Sequence, residues 1–279
     1  MENTSLYYTE SGALGSTGPL LLGGMAFLGS LVLGAIYAYA TFYIPLIYLN
    51  FLLTIGYGTA MGFLMGKAAL WGKVRNQQAV RVFSLAAGIL SVYFSWVFWI
   101  YAASEQEVLT FSILNIIRTM NLIAEEGLWS IFDLTPTGIA LYAIWLIEAG
   151  IIFVGTYRRG SRNAVSLPYC ENCDQWIEQE VLTSQLAPIQ DLSLFVQNLE
   201  SQSLEALMTL EKVGHNAHRR TKVDLSACKS CKKEHYLSIS QIDTEFNDEG
   251  KPEEKEIPLL KNLIIDKTAY ETLKEWNKV

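Results

Sequence analysis

Four cysteines fall into two copies of one spacing, Cys170-Glu171-Asn172-Cys173 and Cys228-Lys229-Ser230-Cys231, with 54 residues between the pairs. A C-x-x-C turn aims two thiolates at one point, and two such turns supply the four sulfurs that tetrahedral Zn²⁺ prefers. Cys170, Cys173, Cys228 and Cys231 are therefore the expected ligands of a structural Zn²⁺ ion. Thiol redox is the competing chemistry. A thioredoxin-like pair, however, sits at a helix start within a βαβ unit, and neither pair here has that context.

Both pairs run into short alternating stretches, residues 169–180 and 227–243, that read as strands. Over these pieces, about thirty residues in all, the chain resembles the zinc-ribbon class, in which a cysteine knuckle precedes or follows a hairpin strand. The resemblance implies that the four cysteines bind zinc and implies nothing further. Compact ribbons separate their pairs by roughly 15–20 residues, so the longer interval predicts a helical insertion. Residues 189–213 supply it, with Leu194, Val196, Leu199, Leu204, Leu207, Met208 and Leu210 forming the apolar side of a helical pair.

Glu148 lies inside the apolar run Trp145-Leu146-Ile147-Glu148-Ala149-Gly150, where an unpaired carboxylate costs roughly 2.5–3.5 kcal/mol on insertion scales. Two uses are open to it: a proton or cation site, or a structural hydrogen bond to Ser84, Ser91 or Asn50 on a neighbouring helix. A transport path normally needs several intramembrane polar groups, and the single acid favours the structural use. His215 and His218 stand at H-x-x-H spacing beside Arg219 and Arg220. Capping of helix-end carbonyls is the expected use there, ahead of a second metal site. His235 could replace a cysteine ligand, but four thiols make that unnecessary. The chain carries no phosphate-loop, H-E-x-x-H or G-x-S-x-G signature, so an enzyme is not favoured.

These groups belong to a chain of 279 residues that is 51% hydrophobic and only 18% charged, a balance that excludes disorder, collagen and a disulfide scaffold. Charge is segregated: five basic and eight acidic side chains precede Tyr157, whereas sixteen and twenty follow from there. No charged residue occurs between Ser11 and Gly66, room for two crossings of roughly 20 residues each. Spans are expected near 19–40, 44–66, 80–102 and 138–156, after an N-terminal tail over 1–18, with the first turn around Thr41, Phe42, Tyr43 and Pro45. The tail holds Glu2 and Glu10 but no Lys or Arg, unlike a cleaved signal sequence.

Lys67, Lys73, Arg75 and Arg81 follow the second span, and Arg158, Arg159 and Arg162 follow the fourth. The positive-inside rule then places both termini and residues 157–279 in the cytoplasm, with the protein in an inner or plasma membrane. Residues 103–137, with five carboxylates against Arg118, fall on the opposite side. Within them, Leu109, Ile113, Ile116, Ile117, Met120 and Ile123 predict an interfacial helix near 108–123, or a re-entrant segment, anchored by Gly127, Leu128, Trp129 and Phe132. The aromatic run from Tyr93 to Tyr101 reads as a headgroup-level belt.

Small residues recur every four positions at Ala26, Ser30, Gly34 and Ala38, and again at Thr54, Gly58, Gly62 and Gly66. Such stripes let helix backbones approach closely in lipid, so the first two spans are expected to form a tight hairpin, or one stripe to join a second copy as a homo-oligomer. The fold class read here is an all-α four-helix transmembrane bundle plus a small α+β cytoplasmic zinc-ribbon-like domain with a helical insertion. An acidic Gly/Pro linker over 247–254 leads to a strand or turn and a short amphipathic helix capped by Asp266 or Thr268. The acidic balance speaks against nucleic acid as a partner. Three functions remain: a structural or regulatory anchor whose domain docks a cytoplasmic protein, an ion or proton channel subunit using Glu148 with Asn50, Thr54 and Tyr57, and a membrane enzyme using Glu125, Glu126 or Asp133.

Overall fold

The computed structural model describes residues 5–44, 46–127, 135–163, 167–214, 217–247 and 251–277. Pro45, residues 128–132 of the proposed anchor, Asp133 and His215 lie outside the described residues. The chain divides into two compact units, Ser11–Ser166 and a second that joins Met1–Glu10 to Leu167–Val279.

The first unit contains α1 (Gly18–Tyr43), α2 (Ile47–Trp71), α3 (Gln77–Ala103), α4 (Ile113–Glu126) and α5 (Ile139–Asn163). Four of these helices are long and apolar enough to cross a membrane, over Gly18–Tyr43, Tyr48–Trp71, Gln77–Ala103 and Ile139–Ser161. At about 1.5 Å per residue each exceeds the roughly 30 Å of a hydrocarbon layer. Local signals set their starts: Pro19 occupies the first turn of α1, and Asn76 Oδ1 accepts the Ala79 N–H at 2.8 Å to open α3. Leu20, Val32, Ile36, Leu52, Ile89 and Leu146 point outward and are exposed. Apolar surface on that scale marks contact with lipid or protein.

α1 packs on α2 and α3, while α5 packs on α2 and α3. All eight small residues of the two stripes are buried, and besides the contacts of Ser30 with Met61 and of Thr54 with Tyr37 between α1 and α2, the stripes admit other helices. Gly58 and Gly62 of α2 receive α5. A Cβ at Gly58 would stand 2.9 Å from the Ile152 carbonyl oxygen, and one at Gly62 would stand 2.6 Å from Arg159 Cβ. On α1, Ser30 turns to α3, donating to the Ala87 carbonyl at 3.2 Å and pairing with Ser91 Oγ at 3.1 Å. A small-residue face admits whichever helix the bundle brings to it, and here both faces are covered within the chain. On α4, Ile116 is buried beside Val97 and Ile100 of α3, while Ile113, Leu114, Ile117 and Leu122 remain exposed.

The second unit is built on a four-stranded antiparallel sheet in the order β3 (Gln179–Leu186), β4 (Arg219–Ala227), β5 (His235–Phe246), β6 (Pro252–Ile264). A small hairpin of β1 (Tyr169–Cys170) and β2 (Gln175–Trp176) precedes it. Strand alternation sends Val223, Leu225, Leu237 and Ile239 into one core, and a register shift between β5 and β6, where Asn262 is at φ +54°, turns both Leu260 and Leu263 into it. That core is closed by α6 (Leu192–Glu200), α7 (Glu205–Met208) and α8 (Lys267–Trp276), through Phe195, Leu199, Leu207 and Leu273. Asp266 is the cap of α8, accepting the Ala269 N–H at 2.7 Å.

Part of the expected linker is strand: Pro252, Glu253 and Glu254 open β6 and pair with Phe246, Glu245 and Thr244 of β5. Pro and charge are tolerated there because β6 lies at the sheet edge, where they face solvent. Arg220 Nη2 also meets Glu254 Oε1 at 2.6 Å. Beyond β6 in the sheet lies the N-terminal tail, with Tyr7 bridged antiparallel to Leu263.

Candidate metal centre

The first cysteine pair is presented by the β1–β2 hairpin. Cys170 stands opposite Gln175 in the register, and Cys173 lies in the intervening turn, which ends on Asp174 at φ +50°. The second pair occupies the connection between β4 and β5, closed by the pairing of Ala227 with His235. There the Lys232 N–H donates to the Cys228 carbonyl at 2.9 Å and the Cys228 N–H to the Glu234 carbonyl at 3.1 Å. Lys232, like Asp174, directly follows the second cysteine of its pair and is left-handed, at φ +52°. The two turns therefore share a left-handed residue at the same place after the second cysteine. A left-handed non-glycine residue costs roughly 1–2 kcal/mol, so the surroundings must hold each turn in place.

The four Sγ atoms lie within 4.8 Å of one another, with Cys170 and Cys231 at 3.7 Å. An ion bound tetrahedrally at metal–sulfur distances of about 2.3 Å has sulfur–sulfur edges of about 3.8 Å, so the spacing fits such an ion and is far too long for a disulfide. All four cysteines are free thiols, Cys170 and Cys228 buried and the other two half-buried. Nitrogen donors point at the sulfurs. The Cys173 backbone N–H faces Cys170, the Cys231 and Ser230 N–H groups face Cys228, and Gln175 Nε2 donates to Cys228 Sγ at 3.2 Å. Burial pushes the Cys170 thiol up. Burial also opposes the Cys228 thiolate, yet the backbone donors draw that thiol below its ordinary value. Donors of this kind stabilise sulfur as an anion, the form that binds metal. Ile177, Tyr236 and Tyr8 pack around the group.

The other sequence candidates stand apart. Among the described residues these four cysteines are the one cluster of metal-ligating side chains. His218 sits edge-on to Phe246 at 5.7 Å between ring centroids, and His235 is buried against Tyr270. Glu148 is half-buried on α5 and makes no hydrogen bond to the expected partners, since Ser91 is engaged by Ser30 while Asn50 Oδ1 and Ser84 Oγ are buried without a partner. Nearby hydroxyls join α1, α2 and α3: Tyr37 and Thr54 pair at 2.9 Å, and Tyr57 donates to the Ser91 carbonyl at 3.0 Å. Glu125 and Glu126 are exposed at the end of α4.

Sequence reasoning did not find Gln175, Tyr8 or the two left-handed turn residues. Gln175 is two positions beyond Cys173, a proximity that offered a signal, whereas Tyr8 reaches the site from the opposite end of the chain. No family model, no curated protein and no solved structure matches this chain.

Proposed function

We propose that this chain is a multi-pass membrane protein acting as a structural or regulatory anchor, whose zinc-stabilised cytoplasmic domain docks a protein partner. The observation that carries the reading is the convergence of four thiols within 4.8 Å in a unit drawing on both ends of a chain whose middle holds four span-length helices. An even number of crossings returns both ends to one side of a membrane, as a unit shared by both ends requires. Zinc is the ion that four thiolates in tetrahedral array favour, and it supplies folding free energy rather than catalysis. The thiolates of Cys170, Cys173, Cys228 and Cys231 would hold it, with Gln175 and the turn N–H groups offsetting their negative charge.

The partner would engage an open groove of about 430 Å³ between the end of β3 and the α6–α7 pair. Leu194, exposed at its lip, Phe195, Ala206 and Leu210 give it an apolar floor, and Asp191 and Glu211 stand among the residues lining it. That composition suits a segment of apolar side chains flanked by basic residues. The test is purification with bound proteins for the wild type, Leu194→Asp, and the pair Cys170→Ser and Cys228→Ser. Loss of the partner in all variants is expected; partner retained by a chain lacking metal and Leu194 refutes the reading.

A second reading is favoured by the buried polar atoms left without partners in the helical unit, Asn50 Oδ1, Ser84 Oγ and Ser161 Oγ. Orphans of this kind ordinarily mark water or an ion. Together with Glu148, Tyr37 and Thr54 they would line a path for protons or small cations. Glu148→Gln in liposomes should then abolish a proton or cation flux, and a wild type that carries none excludes this role.

A further inference from the structure

The N-terminal tail is part of the sheet. The Tyr8 N–H donates to the Asn262 carbonyl at 2.9 Å, and the Ile264 N–H donates to the Leu6 carbonyl at 2.9 Å. Tyr7 is held at its tip, its hydroxyl donating to Glu200 Oε1 at 2.6 Å, and its ring packs on the main core. Strand alternation sends the next side chain to the other face. There the Tyr8 ring meets Tyr236 edge-on at 5.7 Å and packs against the buried group of Cys170, Ile177, Cys228 and Tyr236, which Cys173 and Cys231 also border. One short segment thus reaches the apolar core through one residue and, through the next, the buried group that contains Cys170 and Cys228.

We propose that residues 6–8 are a clasp coupled to metal loading, with Tyr8 as a positioning residue that covers the metal centre; this rests on the zinc reading above. The knuckle hairpin is too short to stand unaided, since β1 and β2 have two residues each and isolated two-stranded hairpins are marginal in water. Metal loading fixes the hairpin, and the fixed hairpin completes the surface on which Tyr8 rests. By linkage the dependence runs both ways: whatever factor the docked tail adds to metal affinity, the metal adds to tail docking. Loss of the ion releases the tail, and with it the tie between the chain preceding the first helix and the sheet. The main core contains none of the four cysteines, so β3 to β6 persist when the clasp opens.

The experiment compares hydrogen exchange of the full chain in detergent before and after metal removal by a chelator, and the rate at which that chelator strips metal from variants. After stripping, the Tyr8 and Ile264 amides should exchange faster while those of Val223 and Leu237 keep their protection. Tyr8→Ala should lose metal about twofold to tenfold faster than wild type, the range expected from one aromatic contact. Tyr8→Phe, which keeps the ring, should restore the wild-type rate. Glu200→Ala loosens the tail from the other face and should also accelerate loss, a result that a local packing role for Tyr8 does not produce. Tail exchange indifferent to the metal, or wild-type stripping rates in both Tyr8→Ala and Glu200→Ala, overturns the clasp and leaves the metal reading standing. Elemental analysis finding no metal in the folded wild type overturns both.

Discussion

The packing of α2 on α5 yields a sharp prediction at Gly62. A methyl group there would lie 2.6 Å from Arg159 Cβ and 2.9 Å from the carbonyl oxygens of Gly155 and Thr156. Carbon atoms rest at about 3.5–4.0 Å, so the two helices must separate by close to 1 Å, and two of the three obstructing atoms are backbone that no rotamer change can move. Overpacking of this kind costs about 1–3 kcal/mol. On the same helix, a methyl group at Gly56 would meet no neighbouring element within 4 Å. Gly56→Ala should therefore be neutral or stabilise by up to about 1 kcal/mol through helix propensity alone. The two substitutions are chemically identical and differ only in what faces them, so the propensity gain cancels and a gap of about 1–3 kcal/mol between them is expected from overpacking. Thermal unfolding of the purified chain in detergent reads that gap as a clear drop in midpoint for Gly62→Ala alone. Equal midpoints for the two variants would refute the α2–α5 contact.

Three further outcomes follow from the sheet unit. Leu237 is fully buried on central β5, so Leu237→Ala should destabilise by about 2–5 kcal/mol, checked by denaturant titration followed by tryptophan fluorescence. Asp266→Ala removes the α8 cap and should cost about 0.5–2 kcal/mol, with faster hydrogen exchange confined to the first turn of α8. Burial, assisted by the nearby Lys267 charge, holds His235 below its ordinary value of 6.5. The unfolded chain then takes up this proton first, so the stabilisation is complete above about pH 6.5 and declines as pH falls through the lower folded value. His235→Gln should flatten that part of the stability profile, and an unchanged acid slope counts against the assignment.

Much of the local order was legible in the chain. Long uncharged runs announced span-length helices because crossing length and apolarity are properties of consecutive residues. The paired C-x-x-C spacing announced a four-sulfur cluster because each turn needs only four residues to aim two thiols. The Asp266 cap was readable for the same reason, whereas the interval between the cysteine pairs holds α6 and the four-residue α7 together with β3 and β4, strands read there only in part.

What escaped was pairing over long separations. The small-residue stripes are visible at four-residue intervals, but that α2 receives α5 on Gly58 and Gly62 depends on a helix some 90 residues away. Pro252, Glu253 and Glu254 read as a linker because their composition disfavours a strand, and only pairing with β5 at the sheet edge overrides that preference. Tyr8 is a plain tail residue until Asn262 and Tyr236 are brought beside it. The sequence by itself determined which segments become helices and where sulfur is concentrated, since those follow from spacing along the backbone. Tertiary structure alone decided which helix fills which groove, which strand forms the edge and which distant residue closes the cysteine cluster, because each depends on burial shared between surfaces that the chain order does not join.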